Sequence, residues 1–123
     1  MEHYLLDEGV PMKIYLAGPM RGIPKFNFPA FEFAANILRN EGHEVFSPAE
    51  KGEEVELKAT PEVQNHILFR RKVFKLDTEW ICQHAEAVAL LPGWDKSPGA
   101  RAERALAEAI GINVIILGSE YVK

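Results

Sequence analysis

Two acidic residues fall on helix faces where charge is costly. On a wheel at about 100° per residue, Ala102, Ala105, Leu106, Ala109 and Ile110 form the inward stripe of a helix ending at Gly111, with Arg101, Arg104 and Glu108 opposite. Glu103 leaves the other charges and lies at the edge of that stripe, beside Ile110. It also falls within the first turns of the helix, where the dipole favours an ionised carboxylate. An ionised, partly shielded carboxylate suits a nucleophile; the alternative is that Glu103 only stabilises the helix start. Asp77 sits near the middle of a second stripe, formed by Val63, Val73, Phe74, Trp80 and Ile81, while Lys72, Lys75 and Glu79 point elsewhere. A carboxylate there needs a partner, so it is either part of a satisfied polar network or a working acid. His66, Arg70 and His84 share the stripe, which also fits a polar seam or an oligomer contact.

Other candidates lie in loops. Gly18-Pro19-Met20-Arg21-Gly22 follows an apolar run, and its glycines let backbone amides approach an anion while Arg21 offers a charged fork. The segment is neither a Walker A loop nor GxGxxG, and a tight turn with a solvated arginine is its plainer reading. Ser97-Pro98-Gly99 opens the helix of Glu103, where the serine is a cap or, with the free amides of the helix end, part of a phosphate cradle. Tyr15 reads as a core aromatic or a ring-stacking surface. Trp94, next to Gly93 in a loop at a strand end, likewise reads as a core aromatic or a ring-stacking surface, with less to favour the core than at Tyr15.

The elements that must position these residues alternate. Lys13 to Ala17 reads as a buried strand ending at Gly18-Pro19, and a helix follows over about 28–41, where Phe31, Ala34, Ala35 and Leu38 recur at helical spacing. Glu44 to Phe46 is a short strand and Ser47 to Ala59 a polar surface loop. Thr60-Pro61 supplies a cap and first-turn proline for a long helix reaching His84. Ala85 to Leu91 is a third strand, Pro92 to Pro98 a loop, and Asn113 to Leu117 a fourth strand after the last helix. The order βαβαβαβ predicts an α/β domain: a single flavodoxin-like or Rossmann-like three-layer sandwich around a central parallel sheet of about four to five strands. Ligands on such sheets sit beyond the C-terminal strand ends, which singles out the loops after the first and third strands.

With 123 residues, the chain has room for one core. Residues 1–11 read as a loosely attached extension and 12–123 as the domain. A net charge of −4 argues against a duplex nucleic-acid partner. No apolar run is long enough to span a membrane, and a lone cysteine without a leader-like N-terminus points to the cytoplasm. His3, His43, His66, His84 and Cys82 show no metal-ligand spacing, so no metal is expected.

Together the YLAGPMRG segment from Tyr15 to Gly22, the DxxW of Asp77 to Trp80 and the SxGxxxE of Ser97 to Glu103 resemble the nucleoside 2-deoxyribosyltransferases and the related 2'-deoxynucleoside 5'-phosphate N-hydrolases, small phage-type members included, over residues 12 to 118. The resemblance implies that Glu103 attacks the anomeric carbon of the sugar and that Asp77 hydrogen-bonds or protonates the departing base. It places Tyr15, Arg21 and Ser97 around sugar and phosphate, so that Tyr15 joins Glu103 and Asp77 as catalytic candidates. Gly18, Pro19, Arg21, Gly22, Gly93, Trp94, Ser97 and Gly99 are then the substrate-binding candidates. It further implies a small nucleoside or nucleotide as substrate, no cofactor, and a homo-oligomer, dimer or higher, with shared sites. The chemistry holds together if Glu103 is ionised and Asp77 held more protonated by its apolar setting. A nucleotide sensor that binds without cutting and an assembly protein built on the His66, Arg70 and Asp77 seam are the competing classes.

Overall fold

Strand β1 (Lys13–Ala17) sends Ile14 and Leu16 to one face of a sheet and Tyr15 and Ala17 to the other, all four fully buried. Burial on both faces means both must be covered, and helices do so. The computed structural model describes residues 10–50, 62–63 and 66–122. Within them, β2 (Glu44–Phe46), β3 (Ala87–Leu90) and β4 (Asn113–Ile116) join β1 in a parallel sheet of order β2-β1-β3-β4. Helix α1 (Phe28–Asn40) covers the Ile14 face through Phe31, Ala34, Ala35 and Leu38. Helices α2 (Ile67–His84) and α3 (Pro98–Ile110) cover the Tyr15 face, where Ile81, Ala100 and Ala107 pack on Tyr15, Val88 and Val114. This is the expected three-layer α/β sandwich.

The chain leaves β1 toward β2 on one side and β3 toward β4 on the other. The loops that follow β1 and β3 therefore diverge and open a crevice at the C-terminal strand ends. Two backbone contacts fix its base: the Leu91 amide donates to the Ala17 carbonyl at 2.8 Å and the Leu117 amide to the Leu90 carbonyl at 3.1 Å. Gly18 stands where β1 passes closest to β3; a Cβ there would lie 2.9 Å from the Leu91 Cβ, so only glycine fits.

Three expectations are corrected. The expected long helix is broken: Glu62 and Val63 are helical, but α2 begins at Ile67, where His66 is extended (φ −70°, ψ 134°) and its Nδ1 accepts the Leu68 amide at 3.1 Å as a helix cap. Thr60 and Pro61 lie outside the described residues, as do most of the expected N-terminal extension and residues 51–59 of the expected loop. That loop starts against the core: Ser47, Pro48 and Ala49 are buried, and Arg39 of α1 holds Glu50 at 2.6 Å. The third correction is the rotation of α3. Ala100, Glu103 and Ala107 face inward and Leu106 is half-buried, whereas Ala102, Ala105, Ala109 and Ile110 are exposed. Alanines bury little area, so they did not fix the rotation, and the acid moves from the edge of the stripe to its centre. Among the described residues no helix is long and apolar enough to cross a membrane.

Phe31 is fully buried at the centre of the α1 face. Phe31→Ala should lower unfolding free energy by about 3–5 kcal/mol, seen in urea titration as a lower midpoint with an unchanged slope.

Candidate active site

The α3 rotation follows from its ends and its small residues. Ser97 caps the helix, its Oγ accepting the Ala100 amide at 3.2 Å, with Pro98 in the first turn and Gly111 closing the far end in a left-handed conformation. Ala100 and Ala107 let the helix approach the sheet closely, and this brings Glu103 onto the residue beneath it. The Tyr15 hydroxyl, on the central strand, donates to Glu103 Oε2 at 2.6 Å, and both residues are buried. Asp77 of α2, 9% exposed, completes the group, its charge acting on both the Tyr15 hydroxyl and Glu103. The three catalytic candidates thus meet at one point, supplied by one strand and two helices.

Their environment sets their protonation. Burial pushes the Glu103 carboxyl up to about 8; the Tyr15 hydrogen bond opposes this and the Asp77 charge adds to it. Glu103 therefore rests protonated at neutral pH, against the expectation of an ionised group, because loss of water outweighs the helix dipole. Burial first, then the Glu103 and Asp77 charges, raises the Tyr15 phenol well above its ordinary range, so it stays a donor. The ring is held in place from behind: Phe46 of β2 stacks on it at 5.5 Å, and Trp80 of α2 stacks on Phe46 at 5.0 Å.

Above these residues opens a pocket of about 730 Å³, lined by Tyr15, Asp77 and Glu103 together with Gly18, Pro19, Arg21, Ser97 and Gly99. Gly22, Gly93 and Trp94 are not part of this lining. Gly22 turns the first loop at φ +82°, and Gly93 sits at φ +89° beneath Pro19. Trp94 is half-buried, packed beside the Tyr15-face core, with the Arg104 guanidinium 4.8 Å above its ring. Its aromatic surface is therefore engaged within the chain.

The lining also includes residues that sequence reasoning did not single out as substrate-binding: Met20, Pro48, Lys96 and, from α2, Ile67, Arg70, Arg71, Val73 and Phe74. A signal for Arg70 existed. It precedes Asp77 by seven residues, about two turns, and so shares its face. Lys96 adjoins Ser97 and carried no pattern of its own. Another feature absent from the sequence pattern is the run Lys25, Phe26 and Asn27, with φ of 55°, 53° and 60°. This left-handed turn costs roughly 1–2 kcal/mol per residue and is tied to the first loop by the Asn27 side chain, whose Nδ2 donates to the Pro19 carbonyl at 3.0 Å.

Comparison with known proteins agrees with this fold. The family model described as Domain of unknown function (DUF4406) matches residues 12–116. A Methanococcoides burtonii protein provisionally named 2'-deoxynucleoside 5'-phosphate N-hydrolase 1 is 37% identical over 75 residues, which are 61% of this chain and 59% of that protein. The match therefore spans well under two thirds of that relative. A solved 2-deoxyribosyltransferase from Bacillus psychrosaccharolyticus superimposes with a TM-score of 0.62 at 28% identity, covering 85% of this chain and 70% of the other. The resemblance drawn from the three sequence motifs is borne out by both relatives.

The raised Glu103 carboxyl has a consequence for stability. Between the unfolded value near 4.5 and the folded value of about 8, the native state binds a proton that the unfolded state has lost, so stability falls as pH rises through that window. Glu103→Gln removes the titration. It should raise Tm by several degrees, about 5–10 °C at pH 8, and the gain should vanish toward pH 4.5 in melts across a pH series.

Proposed function

We propose, for a chain that belongs to the family described as Domain of unknown function (DUF4406), that the pocket breaks or transfers the N-glycosidic bond of nucleosides or nucleoside 5'-monophosphates, preferably 2'-deoxy, through a covalent glycosyl–Glu103 intermediate. The observation that carries this reading is the buried contact of Tyr15 with Glu103, 2.6 Å long, with Asp77 beside it at the floor of a pocket. The names of the two relatives support the same class of reaction.

A glycosidic carbon reacts through an oxocarbenium-like state that a nearby carboxylate stabilises and then traps. In the reacting form the single proton shared by the two carboxyls lies on Asp77, and in the first step the Glu103 anion forms a bond to the anomeric carbon while the carbon–nitrogen bond breaks. The electron pair leaves with the base, whose nitrogen takes a proton from Asp77. Positive charge developing on the sugar favours the Glu103 anion, which a dry floor otherwise disfavours. Tyr15 holds one oxygen, leaving the other to reach the carbon. In the second step water, or the nitrogen of another base, attacks the same carbon and Glu103 departs as carboxylate. Asp77 accepts the attacking group's proton, and water gives hydrolysis where a base gives transfer. Both steps balance with the chain's own groups. Arg21, Ser97 and Gly99 are assigned to the 5'-phosphate, with the start of α3 as an anion site. We take the working unit to be a cytoplasmic homo-oligomer, for which the exposed Ile67, Leu68 and Leu76 of α2 offer apolar surface.

The test is chromatography of base released or exchanged from ribo- and deoxynucleosides and their 5'-monophosphates, with and without a second base. Glu103→Ala should lower turnover by at least about 10³-fold, and no base release from any substrate by the unsubstituted protein would remove the reading. Because the Glu103–Asp77 pair must keep one proton for the departing base, kcat/KM should fall as pH rises through about 8. A profile flat from pH 6 to 9 would contradict Glu103 as a member of that pair.

A further inference from the structure

The pocket gathers positive charge in an acidic chain. The formal net charge is −4, yet Arg21, Arg70, Arg71 and Lys96 all line this pocket. None of the four has a carboxylate partner among the described residues. The acids in the lining are Asp77 and Glu103, both buried, and Glu103 rests protonated. Among the described lining residues the cations therefore outnumber the acids.

Their placement is graded with depth. Helices α2 and α3 both start at the rim, since each precedes a strand whose C-terminal end faces the crevice. Arg70 lies on the face of Asp77 but about 10 Å nearer the start of α2. Lys96 and Ser97 precede α3, about 9 Å along the axis from Glu103. A sugar seated on the carboxylates would therefore have cations above it on both walls, in addition to Arg21 from the loop after β1. One phosphate, at roughly −1.5 to −2 charges, is matched by Arg21 and the free amides of the α3 start. It leaves Arg70, Arg71 and Lys96 without a carboxylate partner among the described residues.

We propose that the substrates of this site are nucleotides with more than one phosphate, the nucleoside 5'-di- and triphosphates, whose outer phosphates are held by Arg70 and Arg71 on one wall and Lys96 on the other. The proposal rests on the N-glycosidase reading and specifies its substrate. Arginine forks match phosphate oxygens in pairs, and a lysine adds a mobile point charge. A volume of about 730 Å³ is ample for such a ligand. A single-stranded nucleic acid would present phosphates too, but binding a strand calls for successive stacking rings. Among the described lining residues the rings are Phe74 and the fully buried Tyr15.

The experiment compares kcat/KM for base release, with or without a second base, from the 5'-mono-, di- and triphosphates of the four deoxynucleosides, with chelator present so that the protein supplies the neutralising charge. The triphosphate-to-monophosphate ratio should be at least about tenfold. It should fall toward one in the paired Arg70→Ala, Arg71→Ala variant and, independently, in Lys96→Glu on the opposite wall. The ratio compares two substrates of one preparation, so a general loss of folded protein does not imitate the effect. A ratio near or below one in the unsubstituted protein would overturn the proposal and leave the N-glycosidase reading standing. A high ratio that neither variant reduces would overturn the assignment of these cations. Preference for a 5'-phosphorylated oligonucleotide over the triphosphate would overturn it in favour of a strand. No base release from any of them would remove the underlying reading instead.

Discussion

The hydrogen bond between the Tyr15 hydroxyl and Glu103, 2.6 Å long and buried, is the contact around which the rest of the site is arranged. It links the central strand to the helix above it, so the rotation of α3, the depth of its acid and the position of the pocket floor are set together. A carboxyl in this position is costly to desolvate, and the fold tolerates it because a phenol is aimed at it and a proton can stay on it. Alanine at positions 100 and 107 allows the close approach, and the Phe46–Trp80 stack keeps the tyrosine ring from turning away. These are local choices in β1, β2, α2 and α3, and they converge on one oxygen atom.

Sequence reasoning read the architecture well because alternation is a strong signal. KIYLA, AVAL and NVII are short apolar runs that suit only buried strands when helices separate them, and Gly18-Pro19 and Gly111 punctuate two of them. Parallel order and the crevice between the loops after β1 and β3 follow from that alternation. The side-chain detail was less legible. Apolarity alone gave the wrong face of α3, because its exposed alanines weigh as much in a wheel as its buried ones, while the contact that orients the helix spans 88 residues of sequence. No local window contains Tyr15 and Glu103 together. Trp94 looked available for a ligand since nothing in its loop foretold Arg104 over its ring.

The ionisation of Glu103 shows the same limit from the electrostatic side. A helix start favours a carboxylate by a few tenths to about 1 kcal/mol at an exposed position, whereas burial moved this group from an ordinary value to about 8. Which effect wins depends on whether water reaches the carboxyl, and that depends on α2, β1 and α3 closing around it. Exposure therefore had to come from the structure, although the residue itself had stood out in the sequence.

The protonated floor and the cationic rim have a joint effect on what the pocket admits. Two ionised carboxylates beneath a phosphate would repel it through a poorly screened interior. With Glu103 carrying a proton, that repulsion is reduced during entry while Arg21, Arg70, Arg71 and Lys96 attract. The reaction proposed for this site then needs Glu103 as an anion, and its substrate would supply the reason for it to ionise, because positive charge grows on the sugar carbon as the base departs. An acid that is neutral when the anion arrives and charged when the carbon turns cationic serves both stages. Under that proposal burial, which destabilises the folded chain above about pH 4.5, is the same property that separates binding from bond breaking.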